Sequence, residues 1–584
     1  MDEVKRRPLR LHDREPRLLL ESAVLGVLGA LSAQAFMWLL HWSDRLFLGL
    51  MAGYQPPGTE IGAAHEVIGA HGLWLIPAVT TLGGLISGFL VYRFAPEAEG
   101  HGTDTAVDAF HRREGIIRPR VPPLKMLASA ITIGSGGSAG REGPIALITA
   151  GVGSVYAKLA HRSEEDRRLL LLAGMAAGLS AIFRTPMGTG VFAIEVLYGK
   201  MEFEVSALLY TMLASAVAYT VNGLFVGFAP LFRFPQIATP RPEDFGAYAA
   251  LGAAAGIVGT ILPVVFYRTR DGFRKLPIPL WMKPGVGGLL LGLLALKLPQ
   301  VLGGGYGWIQ LAIDGRLALH LMVALIFAKI VALALTVSSG GSGGVFAPSL
   351  YVGAMLGGTF ATVLHEPAAV FVVVGMAAVF GSAARVPIAT MLMVTEMAGG
   401  YHLLVPAGLA VMIAYLLQAR LSGRLRYASL YEGQVPTPRD SPAHYLEHIQ
   451  FALNLLGRRN LPMADKLGHL DLLRMLRSRV RFDLPGGREL GIGIVREESP
   501  IAGKTVRELY RQLSQYDFEM VTIRRREHLI LPHGETVLQA GDRIVLITSP
   551  GSREPLAKLI TPIEEEHEGG VQVEASEESR EGAL

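Results

Sequence analysis

Long apolar runs separated by short polar segments dominate most of the chain. The first run covers about residues 18–50, which is longer than the apolar core of a signal peptide, and no small-residue cleavage pattern follows it. It is therefore predicted to be the first membrane helix. Several later runs are too short or too interrupted by glycine to be simple membrane-spanning helices. Within a bilayer, a broken helix needs other protein or a water-filled cavity to satisfy its freed backbone groups, so the breaks indicate an internal path through the protein. The later runs cover residues 73–95, 122–160, 168–200, 204–228, 246–267, 281–299, 317–337, 345–364, 368–397 and 403–420.

The distribution of positive charge orients the first helix. Basic residues are frequent before it, absent from the following loop at 51–72, and frequent again in the next loop. By the positive-inside rule, the N-terminus and the second loop are cytoplasmic. The chain is predicted to be a multi-pass protein of the plasma (inner) membrane with cytoplasmic N- and C-termini. The basic residues before the first helix are Lys5, Arg6, Arg7, Arg10, Arg14 and Arg17.

Composition supports a membrane protein and excludes several classes of function. Of the 584 residues, 50% are hydrophobic and 18% charged, whereas charged residues make up about a quarter of soluble domains. The absence of cysteine excludes disulfide scaffolds, thiolate zinc sites and cysteine nucleophiles. The net charge of +4 is small, so nucleic acid is not an indicated partner. We expect no enzymatic activity, no cofactor and no bound metal.

An internal repeat is the most informative feature of the sequence. Residues 125–144 match residues 329–348 at an offset of 204, with ten identities in twenty positions. A second pair of segments, GMAA at Gly174 and at Gly375, lies 201 residues apart. Sequence identity does not distinguish parallel from inverted halves, but discontinuous helices in corresponding places favour inverted halves. The predicted fold is an all-α polytopic membrane protein with an inverted internal repeat and broken helices, followed by a C-terminal α+β soluble domain. The two repeats cover approximately residues 18–230 and 240–435.

Each copy of the repeat contains a Gly/Ser-rich break followed by a proline, at Pro144 and Pro348. This pattern predicts a loop that leads into a helix with the proline in its first turn. The free N–H groups and the positive dipole at such a helix end attract anions, so the two copies could share one anion site. The alternative is that the glycines only allow close helix packing, which leaves the common break-to-proline step unexplained.

Glu142 lies in the break of the first copy, whereas Phe346 occupies the equivalent position of the second. An ionised carboxylate within the bilayer costs at least ~2.5 to 3.5 kcal/mol, and a helix N-terminus can offset this cost. We expect Glu142 to occupy an anion's position and to leave it when it is protonated or displaced, as a gate would. An ordinary carboxylate at a helix N-terminus is the alternative, but that role does not explain its absence from the second copy.

The GREGP and GVFAP motifs, together with the repeat, resemble those of the CLC family of chloride channels and proton-coupled chloride exchangers over about residues 18–435. The resemblance implies a homodimer in the lipid bilayer, with chloride as the transported ion and one anion path in each subunit. It also implies that Glu142 is the gate and that backbone N–H groups and a tyrosine hydroxyl bind the anion. The residues that the resemblance assigns to anion binding are His101, Gly102, Arg141, Gly143, Val345, Phe346, Ala347 and Tyr427.

The segment Gly100–Asp104 departs from the family's GSGIP element. His101 replaces the serine, and Asp104 replaces the proline that starts a helix. Asp104 or Thr103 could serve as the N-cap. Two roles stay open for His101: it donates an N–H to the anion, more strongly at low pH, or it faces the cytoplasmic vestibule while backbone groups alone bind the anion.

A second departure concerns proton coupling. Exchangers of the family commonly carry an inner proton-accepting glutamate at the position of Val196, and a valine cannot relay a proton. The neighbouring Glu195 recurs as Glu396 in the other half, which favours a structural role at a helix end. The sequence therefore favours a passive, proton-uncoupled chloride channel. The alternative is a Cl⁻/H⁺ antiporter with a different internal proton route.

Two lysines, Lys125 and Lys329, occupy equivalent places before the two breaks. Binding of the transported ion is one interpretation. Their position some way before each break instead favours snorkelling to the membrane surface or helix anchoring.

The charged C-terminal part begins at about Pro436. Its pattern predicts a strand, a helix and three strands, and Thr505 and Glu508 form a capping box that opens the helix. The runs SPIAGKTVREL and ILPHGETVLQAGDRIVLI resemble the RCK_C (TrkA-C) module of potassium transport regulators. This resemblance implies a dimerising, ligand-sensing domain, for which a cyclic dinucleotide is one candidate ligand; a plain dimerisation domain is the alternative.

The sequence predicts five parts along the chain. They are a cytoplasmic N-terminal segment (1–17), the membrane domain (18–435), a helical connector (436–487), the RCK_C/TrkA-C-like domain (488–562) and an acidic disordered tail (563–584).

A remote alternative is an intramembrane serine hydrolase, because the segment around Ser138 fits GxSxG. A nucleophilic serine needs a base, commonly histidine, and histidines are scarce in the apolar runs. Ser342 repeats the motif in the second half, where a single catalytic serine would not need a twin. Ser138→Ala should abolish proteolysis but leave anion flux largely intact.

Overall fold

Two compact units, Met1–Pro438 and Arg439–Leu584, make up the chain in a computed structural model, and each is described by itself. The predicted acidic tail, most of the predicted connector and residues 1–13 lie outside the described residues. The described residues are 14–58, 65–70, 72–234, 242–438, 441–444, 482–484, 488–496, 498–514, 516–525, 528–530, 532–549 and 561–562.

The first unit is helical, and its two halves show the same order of helices. Their equivalence is clearest at the breaks, because α5 begins at Glu142 and α13 at Phe346, 204 residues later. The first half contains α1 (Arg14–Asp44), extended by a π-helical segment (Arg45–Ala52), the short strands β1 (Tyr54–Gln55) and β2 (Val67–Ile68), α2 (Ile76–Phe94), α3 (Thr103–Arg112), α4 (Val121–Gly134), α5 (Glu142–Leu159), α6 (Glu164–Phe183), α7 (Pro186–Glu195) and α8 (Leu208–Val226). The second half contains α9 (Phe245–Lys275), α10 (Lys283–Ala295), α11 (Tyr306–Ile313), α12 (Leu319–Val337), α13 (Phe346–Leu364), α14 (Ala368–Ala383), α15 (Pro387–Met397) and α16 (Leu404–Ser422).

Breaks divide several apolar runs into pairs of helices, as the glycine-rich composition predicts. In the described part of the chain, seven helical segments are long and apolar enough to cross a membrane, and others are shorter. Arg184 and Arg385 end α6 and α14 in the left-handed conformation, with φ of 60° and 58°, which terminates a helix. Pro186 and Pro387 then occupy the first turns of α7 and α15. In the first turn an N–H has no partner within the helix, so a proline there costs no hydrogen bond.

The second unit contains a mainly antiparallel arrangement of strands around a small apolar core that includes Val495, Leu509 and Ile544. The strand order is β3-β4-β7-β5-β6, and β8 also pairs with β4. Its elements are β3 (Phe482–Leu484), β4 (Arg488–Ile494), α17 (Val506–Gln512), β5 (Phe518–Arg525), β6 (His528–Ile530), β7 (Arg543–Thr548) and β8 (Thr561–Pro562).

The predicted capping box opens α17. The Glu508 amide donates to the Thr505 hydroxyl at 3.2 Å, and the Thr505 amide donates to the Glu508 carboxylate at 2.8 Å. The amide and hydroxyl of Thr505 favour the ionised carboxylate and hold the pKa of Glu508 below its usual value.

The prediction of a helical connector over 436–487 is wrong at its C-terminal end. Phe482–Leu484 form strand β3, paired antiparallel with residues 488–490. The intervening Pro485-Gly486-Gly487 is a turn-forming sequence, which favours a hairpin at this point over a helix.

Candidate anion-binding site

The two glycine-rich breaks meet in the first unit. The Gly140 amide donates to the Gly344 carbonyl at 2.8 Å, and the Gly344 amide donates to the Gly140 carbonyl at 2.7 Å. These two glycines are equivalent in the repeat, and reciprocal bonds between equivalent groups are what a two-fold relation between the halves produces. The structure therefore brings together the two loops that the sequence singles out.

A small cavity lies at the N-termini of α5 and α13, beside this bridge. The first amides of each helix have no partner within the helix and carry the positive end of its dipole. Such an arrangement can hold a dehydrated anion without a fixed positive side chain. Nine residues line the cavity: Thr103, Glu142, Gly143, Leu179, Phe183, Phe192, Val345, Phe346 and Tyr431.

Glu142 occupies this site with a side chain that is 1% exposed. The Tyr306 hydroxyl donates a hydrogen bond to its Oε1. Its other oxygen, Oε2, lies so close to Gly140 that a β-carbon added to this glycine would collide with it. The same added β-carbon would lie 3.1 Å from the Ala347 amide nitrogen, so Oε2 and this amide face the same small space. The carboxylate is thus placed against the N-terminus of α13.

Most of the predicted anion-binding residues are neighbours in the structure. Gly143, Val345 and Phe346 line the cavity, and Ala347 lies at the carboxylate of Glu142. Gly102 packs against Gly143 so closely that an added β-carbon would lie 2.6 Å from the Gly143 carbonyl oxygen.

The family resemblance implies that the backbone N–H of Arg141 binds the anion, and the structure shows a separate contact of its side chain. Its guanidinium lies 4.6 Å from the centre of the Tyr306 ring, a distance at which a cation is attracted to the ring face. Arg141 thereby supports the tyrosine that contacts Glu142.

The structure corrects the assignment of Tyr427. Its hydroxyl donates to Asp271 Oδ2 at 2.5 Å, and its ring stacks on Tyr267. Tyr431 lines the cavity instead, with a side chain that is 3% exposed. Both tyrosines follow α16 within a few residues, so spacing along the chain does not distinguish them.

The segment Gly100–Asp104 places His101 between two cavities. The His101 ring is buried, with its centre 5.4 Å from that of Tyr431. It lines a second cavity of about 460 Å³, which it shares with acidic residues and with four arginines. Among the described residues, the groups that line the cavity at Glu142 do not include the His101 ring. The arginines are Arg112, Arg113, Arg270 and Arg274.

Asp104 does not cap α3, which begins at Thr103 after Gly102 and has no side-chain cap. Its carboxylate instead accepts a hydrogen bond of 2.6 Å from the Gly433 amide. Arg112 also donates to the Gly433 carbonyl, at 3.2 Å. Helix α3 therefore holds both backbone groups of Gly433 and fixes the segment that carries Tyr431.

The repeated lysines are fully buried, so of the two roles expected for them snorkelling is wrong and helix anchoring remains. Lys125 Nζ donates to the carbonyls of Ala98 and Gly100 at 2.9 and 2.7 Å. Lys329 Nζ donates to the carbonyls of Val301 and Gly303 at 2.8 and 2.7 Å. Each lysine thus holds the loop before a short helix, α3 or α11, because a buried ammonium needs acceptors and these carbonyls supply them.

Glu195 has the structural role that its recurrence favours. Its carboxylate accepts from the amides of Ile388 and Ala389 at 3.1 and 2.6 Å, at the start of α15. Glu396 does the same for Met187 and Gly188 at 3.2 and 2.9 Å, at the start of α7. Val196 follows α7 directly and is buried. Its side chain cannot act as the proton-accepting acid that exchangers of the family commonly carry at this position.

The GxSxG segment gives no support to a hydrolase. The Ser138 hydroxyl is buried and makes no hydrogen bond within the described part of the chain. A nucleophilic serine needs a base within hydrogen-bond reach, and this hydroxyl has none among those residues.

Comparison with known proteins finds a family match within each of the two units. Residues 83–419 match the voltage gated chloride channel family, and residues 494–561 match the TrkA-C domain. The chain is 30% identical over 439 residues to the H(+)/Cl(-) exchange transporter ClcA of Salmonella arizonae, covering 73% of this chain and 90% of the relative. The same transporter of Salmonella paratyphi B is 30% identical over 444 residues, with 74% and 91% covered.

Solved structures share the fold. A CLC-type fluoride/proton antiporter superposes with a TM-score of 0.61 at 25% identity, covering 74% of this chain and all of that chain. A slow cyanobacterial Cl⁻/H⁺ antiporter gives a TM-score of 0.62 at 20% identity, covering 70% of this chain and 96% of the other.

Proposed function

Because the chain belongs to the voltage-gated chloride channel family, whose members transport anions across membranes, we propose that it exchanges chloride for protons. Glu142 is the group that couples the two ions in this proposal. The supporting observation is that a buried carboxylate occupies the junction of two helix N-termini. A group that competes with the anion when ionised and withdraws when protonated links proton uptake to anion movement.

The sequence-based preference for a passive channel, which rested on Val196, is less well supported than exchange. The curated relatives at 30% identity are named H(+)/Cl(-) exchange transporters, and an antiporter of the same fold is 25% identical. A proton can reach Glu142 through water, so the valine does not exclude coupling.

The anion is held mainly by backbone amides in this proposal. Gly143, Val345, Phe346 and Ala347 supply N–H groups, and Tyr431 takes the role that the sequence assigned to Tyr427. His101, Gly102 and Arg141 support the site from its margins. Chloride is favoured over fluoride by the names of the curated relatives.

The assembly is proposed to be a homodimer in the cytoplasmic (inner) membrane with both termini in the cytoplasm. The positive-inside pattern supports this orientation. The TrkA-C domain would sense a small ligand, with a cyclic dinucleotide as the first compound to titrate against the full-length protein.

A flux experiment tests the proposal. Purified protein in lipid vesicles with a chloride gradient should move protons against the chloride flow, and the reversal potential should depend on both gradients. Glu142→Gln should move chloride without protons and without a response to external pH, while the exposed control Glu202→Gln should behave as wild type. A wild-type reversal potential that follows chloride alone would show a passive channel.

A further inference from the structure

Tyr306 is the first residue of α11 and is half-buried. Its hydroxyl donates to Oε1 of Glu142, its ring lies beneath the guanidinium of Arg141, and Phe232 packs beside it with ring centres 6.1 Å apart. Three neighbours therefore fix the ring, and its single polar group is aimed at the carboxylate.

The repeat gives Tyr306 a definite counterpart. Thr103 begins α3, Tyr306 begins α11 203 residues later, and each loop before them is held by a buried lysine. Thr103 lines the anion cavity together with Tyr431. The two short helices thus each present a hydroxyl residue to the site, one from each half.

The side from which Tyr306 approaches follows from its neighbours. Gly307, the next residue of α11, packs directly against the carbonyl of Pro57. Pro57 belongs to the loop at 51–72 that lacks lysine and arginine, which the positive-inside rule places outside the cell. Tyr306 therefore contacts Glu142 from the extracellular end of the site.

We propose that Tyr306 holds the ionised Glu142 carboxylate at the extracellular end of the anion path and releases it when Glu142 takes up a proton. A phenol donates one hydrogen bond, and an ionised carboxylate only accepts, so the bond is charge-assisted in the ionised state. Protonation weakens the bond and frees the side chain to move. Tyr306 is thus a positioning residue for the gate, and its role rests on the proposed function of Glu142.

Other charged and titratable groups near Glu142 remain in place when the hydroxyl is removed. Arg141 contacts the ring face, which phenylalanine retains. Arg184 at the end of α6 interacts with Arg141, and Tyr431 in the segment after α16 lines the cavity with the His101 ring beside it. A change of pH response in Tyr306→Phe would therefore report the hydroxyl itself.

The test is the external pH profile of chloride efflux from vesicles. Without the hydrogen bond, Glu142 should take up its proton at higher pH, so the half-activation pH of Tyr306→Phe should rise by about one to two units. Tyr219→Phe is the matched control, because Tyr219 is also half-buried but its hydroxyl donates to the Phe228 carbonyl, at 3.4 Å, and its profile should be unchanged. An unshifted profile in folded Tyr306→Phe would overturn the proposal.

Two further variants separate this proposal from a packing role and from the proposed function. Site-specific 3-fluorotyrosine at position 306 donates a stronger hydrogen bond and should shift half-activation toward acid pH; a shift in the same direction as Tyr306→Phe would contradict the proposal. In a Glu142→Gln background, Tyr306→Phe should have no effect on the profile. If wild-type protein moves no protons, exchange itself fails; if it exchanges normally and Tyr306→Phe is silent, only the role of Tyr306 fails.

Discussion

At the scale of single residues, the buried lysines show how a full positive charge can serve the membrane fold. Lys125 and Lys329 are fully buried, and each ammonium binds two backbone carbonyls in the loop before a short helix. The carbonyls at Lys125 have further donors, Ser342 Oγ and the Gly343 amide. Those at Lys329 accept from no other donor within the described residues. Lys329 should therefore be the more difficult of the two to replace.

Replacing each lysine with methionine, which has a similar length, tests this difference. Lys329→Met should lower the free energy of unfolding by about 2 to 3 kcal/mol, since charge-assisted bonds to two buried carbonyls are lost. Lys125→Met should cost less. Thermal unfolding in detergent measures the effect, with exposed Lys158→Met as the control; equal melting temperatures for Lys329→Met and Lys158→Met would refute the interpretation.

At the scale of elements, α7 and α15 stabilise one another's beginnings. The carboxylate at the end of each helix accepts hydrogen bonds from the first amides of the other. A carboxylate at a helix N-terminus satisfies free donors and interacts favourably with the dipole. This exchange explains why Glu195 and Glu396 recur in the repeat.

The structural role of Glu195 predicts a loss of stability without a loss of coupling. Glu195→Gln retains one acceptor oxygen but loses the charge, so it should lower the free energy of unfolding by about 1 to 2 kcal/mol. Glu396→Gln should cost less because Glu396 is less buried. The chloride-to-proton ratio in vesicles should be unchanged in both. Normal stability with abolished proton transport in Glu195→Gln would instead identify a proton relay.

At the scale of the whole molecule, both halves of the first unit contribute residues to the candidate anion site. The bridge between Gly140 and Gly344 joins the halves, and Glu142 of the first half contacts Tyr306 of the second. All the groups named around Glu142 belong to the unit Met1–Pro438. The TrkA-C unit supplies none of them.

A chain that ends at Pro438 should therefore keep the chloride-to-proton ratio of the full-length protein. Any change of flux that a cyclic dinucleotide produces in the full-length protein should disappear. Flux in vesicles, with size-exclusion chromatography to verify folding, measures both effects. A folded truncated protein that moves chloride without protons would show that the second unit contributes to coupling.

The sequence by itself determined the repeat, the helix breaks, the place of Glu142 and the presence of a TrkA-C domain. These depend on local features, because glycine and proline interrupt helices wherever they occur and a helix N-terminus favours negative charge. The passive channel that Val196 favoured is less well supported than exchange, because the relatives at 30% identity are named exchange transporters.

Only the tertiary structure decided which side chains reach the site. Tyr431 lines the cavity while Tyr427 bonds to Asp271, and α3 holds the segment of Tyr431 through both backbone groups of Gly433. The contact between Tyr306 and Glu142 joins residues 164 positions apart, and the bond between Glu195 and Ala389 joins residues 194 apart. Such pairings depend on how the two halves pack, and local patterns of apolar and polar residues do not encode them.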